Sequence, residues 1–304
     1  MIQLPNFIIP GAPKAGTTSV VEYLNQHPDV YIPKIKEPRF FISDVIENLP
    51  KEDKMRDFLV EYSTLSIEDY NSIYEVPQAY KAVGDASVQY MYYYKETIPL
   101  IKSTLGDPKI IIFLREPVER AFSNFLYQKI YGQDESFEKE IEKEPAKIDK
   151  GLNSFHLYFK QSLYYDSVKA FMDSFTNVKI FLLDDFKENP LYVMSEIFSF
   201  LGVDSSFTPN LKKVHNISGV PKNSFLKKVL FEDNIVKNVS AKLVKNVFGS
   251  TLKHRLVMNI KSKSLVKNEE TTIDPEYKVE LSKRFADDIE KLSGLINRDL
   301  SHWL

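Results

Sequence analysis

Short apolar runs alternate with stretches in which apolar residues recur at helical spacing. Residues 6–10, NFIIP, read as a short buried strand, and residues 17–26 as a helix with Val20, Val21 and Leu24 on its inner face, stopped by His27-Pro28. The same unit recurs at KIIIFL (109–114), an unbroken apolar run of the kind buried in a parallel sheet. Arg115-Glu116-Pro117 then turns the chain into VERAFSNFLYQKI, where Val118, Ala121, Phe122, Phe125 and Leu126 share a helical face. VKIFLL (178–183) predicts a third strand, followed by a helix from Pro190 to Leu201 that Gly202 ends. Asp274-Pro275 caps a last helix that runs toward Arg298. Strands alternating with helices predict an α/β fold with a mainly parallel central sheet flanked by helices, in a single domain spanning residues 1–304. The charged segment 134–150 predicts an exposed helix or loop.

Composition adds limits. With 43% hydrophobic and 27% charged residues, the 304-residue chain is that of a folded globular protein. It has no cysteine, which excludes disulfides, thiolate metal sites and a cysteine nucleophile, and no long apolar run or leader pattern. A cytoplasmic setting is the expectation. Net charge is −2, but residues 212–267 hold thirteen Lys/Arg against Glu232 and Asp233 alone. Such a block suits an anionic acceptor, a membrane surface or a nucleic acid, or is simply a solvated helical face.

The chemistry starts in Gly11-Ala12-Pro13-Lys14-Ala15-Gly16-Thr17-Thr18, between the first strand and the first helix. Backbone N–H groups of such a loop and the helix N-terminus make an anion nest, to which Thr17 and Thr18 add hydroxyls. A nucleoside triphosphatase places lysine directly after the second glycine; here Thr17 stands there and Lys14 precedes it. The lysine therefore lies on the loop itself. No acidic magnesium motif is evident, and the five histidines form no metal cluster.

PKAGTT resembles the 5′-phosphosulfate loop of sulfotransferases, which move a sulfuryl group from 3′-phosphoadenosine-5′-phosphosulfate (PAPS) to a hydroxyl or amine, leaving 3′,5′-adenosine bisphosphate (PAP). LREPVERAFSNF (114–125) is similar to their 3′-phosphate element. Similarity to the carbohydrate and bacterial branch continues through KEPRFF, QSLYYDSVKAF, FLGV, HNISGVPK and RDLSHWL. The resemblance implies a P-loop-like sulfotransferase fold, direct in-line transfer to a glycan or other hydroxyl-bearing acceptor, and no metal or nucleic acid. It assigns Lys14, Ala15, Gly16, Thr17, Thr18, Arg115 and Ser123 to the donor, with Lys222 either a further phosphate contact or a solvated lysine. For Arg115, a surface ion pair with Glu116 or Glu119 is the competing reading.

The resemblance also implies a base, Glu37, in KEPRFF, with Lys14 as its catalytic partner. Pro38 favours an extended backbone there, with Arg39 and Phe41 facing opposite to Phe40. In GDASVQY, Asp85 keeps the family's acidic residue while Ala86 replaces its lysine, which places more of the transition-state charge on Lys14. Asp85 is the rival base. His156 and His215 are candidate acceptor contacts. Tyr90, Tyr92, Tyr93, Tyr94, Tyr158, Tyr164 and Tyr165 form either an aromatic platform for a sugar or ordinary core and rim packing. Other readings are a P-loop nucleotide kinase, a nucleotide-binding module without turnover, and a small lipid or polyketide alcohol as acceptor.

Overall fold

In the computed structural model, residues 1–35, 37–129, 135–211 and 272–304 are described, together with the backbone of the dipeptides 220–221 and 265–266. The segment 212–267 thus lies outside the description except for those dipeptides, which pair antiparallel. Lys222, His215 and most of the basic block fall outside with it.

Five parallel strands, β1 (Phe7–Gly11), β2 (Val30–Tyr31), β3 (Ala82–Asp85), β4 (Lys109–Leu114) and β5 (Val178–Leu182), assemble in the order β2-β3-β1-β4-β5. All of β1, all of β3 and every residue of β4 after Lys109 are buried, and burial on both faces is why β1 and β4 read as apolar runs without alternation. The three strands predicted from the sequence are therefore the central β1 and β4 and the edge strand β5. The short β2 and β3 carried no such signal: AVGD holds a glycine and an aspartate.

Between the strands run α1 (Thr17–Leu24), the small helices α2 (Ser43–Glu47), α3 (Arg56–Glu61) and α4 (Ile67–Ser72), then α5 (Tyr94–Leu105) and α6 (Pro117–Lys129). Next come α7 (Phe137–Glu142), α8 (Glu144–Asp149), α9 (Tyr165–Ser174), α10 (Leu183–Glu188) and α11 (Pro190–Leu201), the last ended by left-handed Gly202 as its sequence predicts. The C-terminal helix, Pro275–Ile296, is capped by Asp274 and packs on α6 and α9. Its Asp288 accepts the backbone N–H groups of Tyr164 (2.7 Å) and Tyr165 (3.1 Å), so a side chain from the chain's end secures the start of α9. Arg298 Nη2 donates to both carboxylate oxygens of Asp185 in α10, at 3.0 and 3.1 Å.

Of the charged segment 134–150, residues 135–150 form the mostly exposed helices α7 and α8, as expected, but with one buried face. Its charged residues Glu140 and Glu144 are buried: Glu140 pairs with Lys147, and Glu144 accepts the N–H groups of Phe159 (2.8 Å) and Lys160 (2.6 Å). Charge there anchors the helices to the body rather than facing only water.

Candidate functional site

The loops leaving the C-terminal ends of β1, β3 and β4 meet above the centre of the sheet, the place where open parallel sheets bind ligands. Ala12 N–H bonds to the Phe113 carbonyl at 2.7 Å, tying the glycine loop to the end of β4. On the other side Met91 N–H bonds to the Pro10 carbonyl at 2.8 Å. A Cβ at Gly11 would lie 2.6 Å from Met91 Cβ, so glycine is required where the two loops touch. Gly16 has φ of 85°, and a Cβ there would stand 2.8 Å from Leu183 Cδ1. It turns the loop into α1 without any side-chain cap, and no acidic residue stands in the first turn. Other helices are capped by Ser66, Ser136, Asn189 and Asp274. The first N–H groups of α1 thus keep the positive character that suits an anion.

Lys14 stands on this loop with φ of 69°, and its carbonyl accepts a bond from Arg115 Nη1 at 3.3 Å. Its ammonium lies 4.4 Å from the centroid of the Tyr127 ring. Ala15 and Thr17 are buried in the loop and at the helix start, and Thr18 is half-buried.

Arg115 is the first residue after β4. Its Nη2 pairs with Glu119 at 3.2 Å, so the competing ion-pair reading is correct as far as it goes. Yet Nη1 reaches the Lys14 backbone, and the buried Nε has no hydrogen-bond partner. The guanidinium is therefore only partly satisfied, at a place where an anion would complete it. Glu116 instead caps α6, accepting from Val118 N–H (2.9 Å) and Glu119 N–H (2.6 Å). Ser123 is buried two turns along that helix.

Around Glu37 the structure corrects the extended reading. Arg39 is left-handed, φ 58°, and Phe40–Ile42 form a single 3₁₀ turn, so strand-like alternation does not apply. Phe41 is buried edge-on to Tyr70 and Tyr90, and Phe40 stacks on Tyr70. Arg39 Nη2 pairs with Glu37 Oε2 at 2.5 Å, both side chains being largely buried. The unusual Arg39 backbone is held from below: its N–H donates to Ser87 Oγ (3.0 Å), whose hydroxyl donates to Asp85 Oδ1 (2.6 Å). Tyr90 and Tyr70 hydroxyls donate to Asp85 Oδ2 at 2.9 and 3.1 Å. Burial pushes the Asp85 carboxyl up from 3.8 to about 6, against the three hydroxyl bonds that favour its charge; nearby Glu37 pushes it further up. Asp85 is thus fully enclosed and is joined through Ser87 to the backbone of Arg39.

Several other candidates sit elsewhere. Tyr90, Tyr158 and Tyr164 are core residues, and the Tyr93 hydroxyl accepts from Ser154 N–H at 3.0 Å, so these four serve packing, while Tyr92, Tyr94 and Tyr165 are half-buried. His156 Nε2 lies 3.2 Å from the buried Asp53 carboxylate, which binds it to the loop before α3. His27 is buried between Phe198 and Phe207, accepting from Asp29 N–H at 3.0 Å and facing the Asp204 carbonyl. Among the described residues no group of three or more His, Asp or Glu is placed to hold a metal ion. Sequence reading missed Ser87 and Tyr127; the latter stands four residues after Ser123, the spacing that puts two helical side chains on one face.

Comparison with known proteins places these features in a family. Residues 4–286 match the family model described as the sulfotransferase domain. The chain is 26% identical over 252 residues to carbohydrate sulfotransferase 15 of Mus musculus, an alignment covering 66% of this chain and 44% of that protein. It is 31% identical over 125 residues to the membrane-associated sulfotransferase kil1 of Dictyostelium discoideum, covering 41% of this chain and 23% of that one. The chain thus spans less than half the length of these curated relatives. A crystal structure of a sulfotransferase from Alicyclobacillus acidocaldarius superposes with a TM-score of 0.74 at 28% identity, covering 99% of both chains. With the match running over almost its whole length, the chain belongs to the sulfotransferase family.

Proposed function

We propose that this protein transfers a sulfuryl group from PAPS to a hydroxyl, or amine, of a carbohydrate acceptor by direct in-line displacement. One observation carries the reading. A lysine-bearing glycine loop at an uncapped helix start is joined, through Lys14 O and Arg115 Nη1 at 3.3 Å, to an arginine with an unpartnered buried Nε. Two anion sites side by side, one on α1 and one at the end of β4, suit a nucleotide phosphorylated on both its 5′ and 3′ oxygens. The residues present therefore fit the donor. Loop N–H groups with Thr17 and Thr18 would hold the 5′-phosphosulfate, and Arg115 with Ser123 the 3′-phosphate. When bound, PAPS supplies an activated sulfuryl group on a phosphate leaving group.

The protein's own work is positioning, charge stabilisation and proton removal. Lys14 keeps an ammonium beside the loop, where it meets negative charge that develops on the leaving oxygen. Glu37 accepts the acceptor hydroxyl's proton. Arg39 holds that carboxylate in place, while Asp85, Ser87, Tyr70 and Tyr90 hold Arg39. With Ala86 where a second lysine stands in the resembling family segment, Lys14 carries more of the charge. The carbohydrate acceptor rests on the resemblance of the sequence and on the relative named carbohydrate sulfotransferase 15. The basic segment 212–267 is proposed to flank the acceptor entrance. A transfer assay with radiolabelled PAPS across neutral glycans, sulfated glycans and lipid alcohols tests the reading. Label should enter a glycan, and Lys14→Ala should nearly abolish this, leaving a small measurable rate, while the protein stays folded; label confined to a lipid alcohol would reject the acceptor class.

A further inference from the structure

α6 faces the donor loop with more than Ser123. Tyr127 follows Ser123 by four residues, about 6 Å along the same helical face. Its half-buried ring stands under the Lys14 ammonium, 4.4 Å from nitrogen to centroid, well within the range of cation–π attraction. We propose that Tyr127 is a positioning residue: its ring face sets the place of the Lys14 ammonium, so that α6 fixes both the 3′-phosphate-reading serine and the lysine of transfer. The proposal rests on the role given to Lys14 above.

The physical need is specific. A lysine head rides on four rotatable bonds, and an ammonium that must search for its place loses part of its advantage in the transition state. The backbone end of Lys14 is already fixed, by the Arg115 bond to its carbonyl at 3.3 Å and by its left-handed loop conformation. Tyr127 fixes the other end. An aromatic face attracts the cation without offering an acceptor lone pair strong enough to remove it from a developing anion. A carboxylate in its place would compete with that anion. The ring face is what matters, so phenylalanine should serve and leucine should not.

The test combines a spectroscopic with a kinetic readout. In reductively 13C-methylated, donor-free protein, the Lys14 dimethylamine resonance, assigned by its loss in Lys14→Arg, should be displaced by the ring current. The displacement should persist in Tyr127→Phe and vanish in Tyr127→Leu. In the transfer assay Tyr127→Leu should lower turnover about tenfold with PAP affinity unchanged, Tyr127→Phe should stay near wild type, and Tyr127→Leu should cost nothing further in a Lys14→Met background. An undisplaced Lys14 resonance in the wild type would overturn the proposal. So would a Tyr127→Phe loss equal to that of Tyr127→Leu, or full additivity with Lys14→Met. A fully active Lys14→Met, beside an intact ring-current displacement in the wild type, would instead remove the role of Lys14, and with it the catalytic consequence of the contact.

Discussion

Arg115 Nη1 donates a hydrogen bond to the Lys14 carbonyl across 3.3 Å, joining the end of β4 to the glycine loop that follows β1. The two strands are sheet neighbours, so the residue proposed to read the 3′-phosphate and the residue proposed to assist transfer share one rigid frame. Arg115→Ala should therefore weaken PAPS binding roughly tenfold or more, since a charge-assisted hydrogen bond contributes about 1.5–3 kcal/mol. It should weaken adenosine 5′-phosphosulfate, which lacks the 3′-phosphate, much less. Titration calorimetry with both donors checks this; an equal loss for both would mean that Arg115 reads no 3′-phosphate and serves only the loop.

For proton removal the structure separates the two carboxylates. Glu37 is half-buried beside Arg39, whereas Asp85 is fully enclosed by Ser87, Tyr70 and Tyr90. Glu37→Gln should lower turnover by roughly 10²–10⁴-fold with donor binding nearly intact. Asp85→Asn should cost less, through misplacement of Arg39. Rates at saturating donor decide it: a nearly active Glu37→Gln beside an inactive Asp85→Asn would reverse the assignment.

Asp85 also predicts a pH signature in stability. Its carboxyl is pushed up from 3.8 to about 6, so between those values the folded protein keeps a proton that the unfolded chain has released. The contribution of Asp85 to stability is thus greatest at low pH, falls as pH rises through that window, by at most about 1.4 kcal/mol per pH unit, and levels off above it. Denaturant unfolding of wild type and Asp85→Asn from pH 4 to 7 should show their stability difference moving in the variant's favour up to pH 6 and then staying flat. A difference that moves the other way would place the carboxyl below its ordinary value.

Much of this frame is legible in sequence because burial on both faces writes β1 and β4 as unbroken apolar runs, and because Pro190, Gly202, Asp274 and Pro275 mark helix ends by their backbone chemistry. The glycine loop, Lys14, Arg115 and Ser123 are local in sequence and equally visible. What escaped has tertiary causes. The left-handed turn at Arg39 follows from Ser87 and Asp85, nearly fifty residues away. Arg39 also meets the Glu37 carboxylate directly, a pairing on which the sequence is silent. Tyr127 is inconspicuous in a helix rich in aromatics until Lys14 is seen above it.

Salt should discriminate the proposed role of the basic segment 212–267. Thirteen Lys/Arg against two acidic residues make a strongly positive block in an otherwise acidic chain, attractive to a polyanionic glycan or a membrane-borne acceptor. Acceptor KM should then rise more steeply with ionic strength between 50 and 200 mM, roughly one to four times the salt of a dilute buffer, than donor KM does. Parallel responses would leave the block as solvated surface.

The central claim is that the paired anion sites at α1 and the end of β4 hold a nucleotide phosphorylated at both 5′ and 3′ positions. Thermal unfolding with PAP, compared with ATP plus Mg²⁺, tests it most directly, because a ligand bound only by the folded state at about a hundred times its Kd stabilises by roughly 2.7 kcal/mol. The account predicts a clear rise in Tm with PAP, reduced in Arg115→Ala, and little or none with ATP plus Mg²⁺; a rise with ATP plus Mg²⁺ and none with PAP would contradict it.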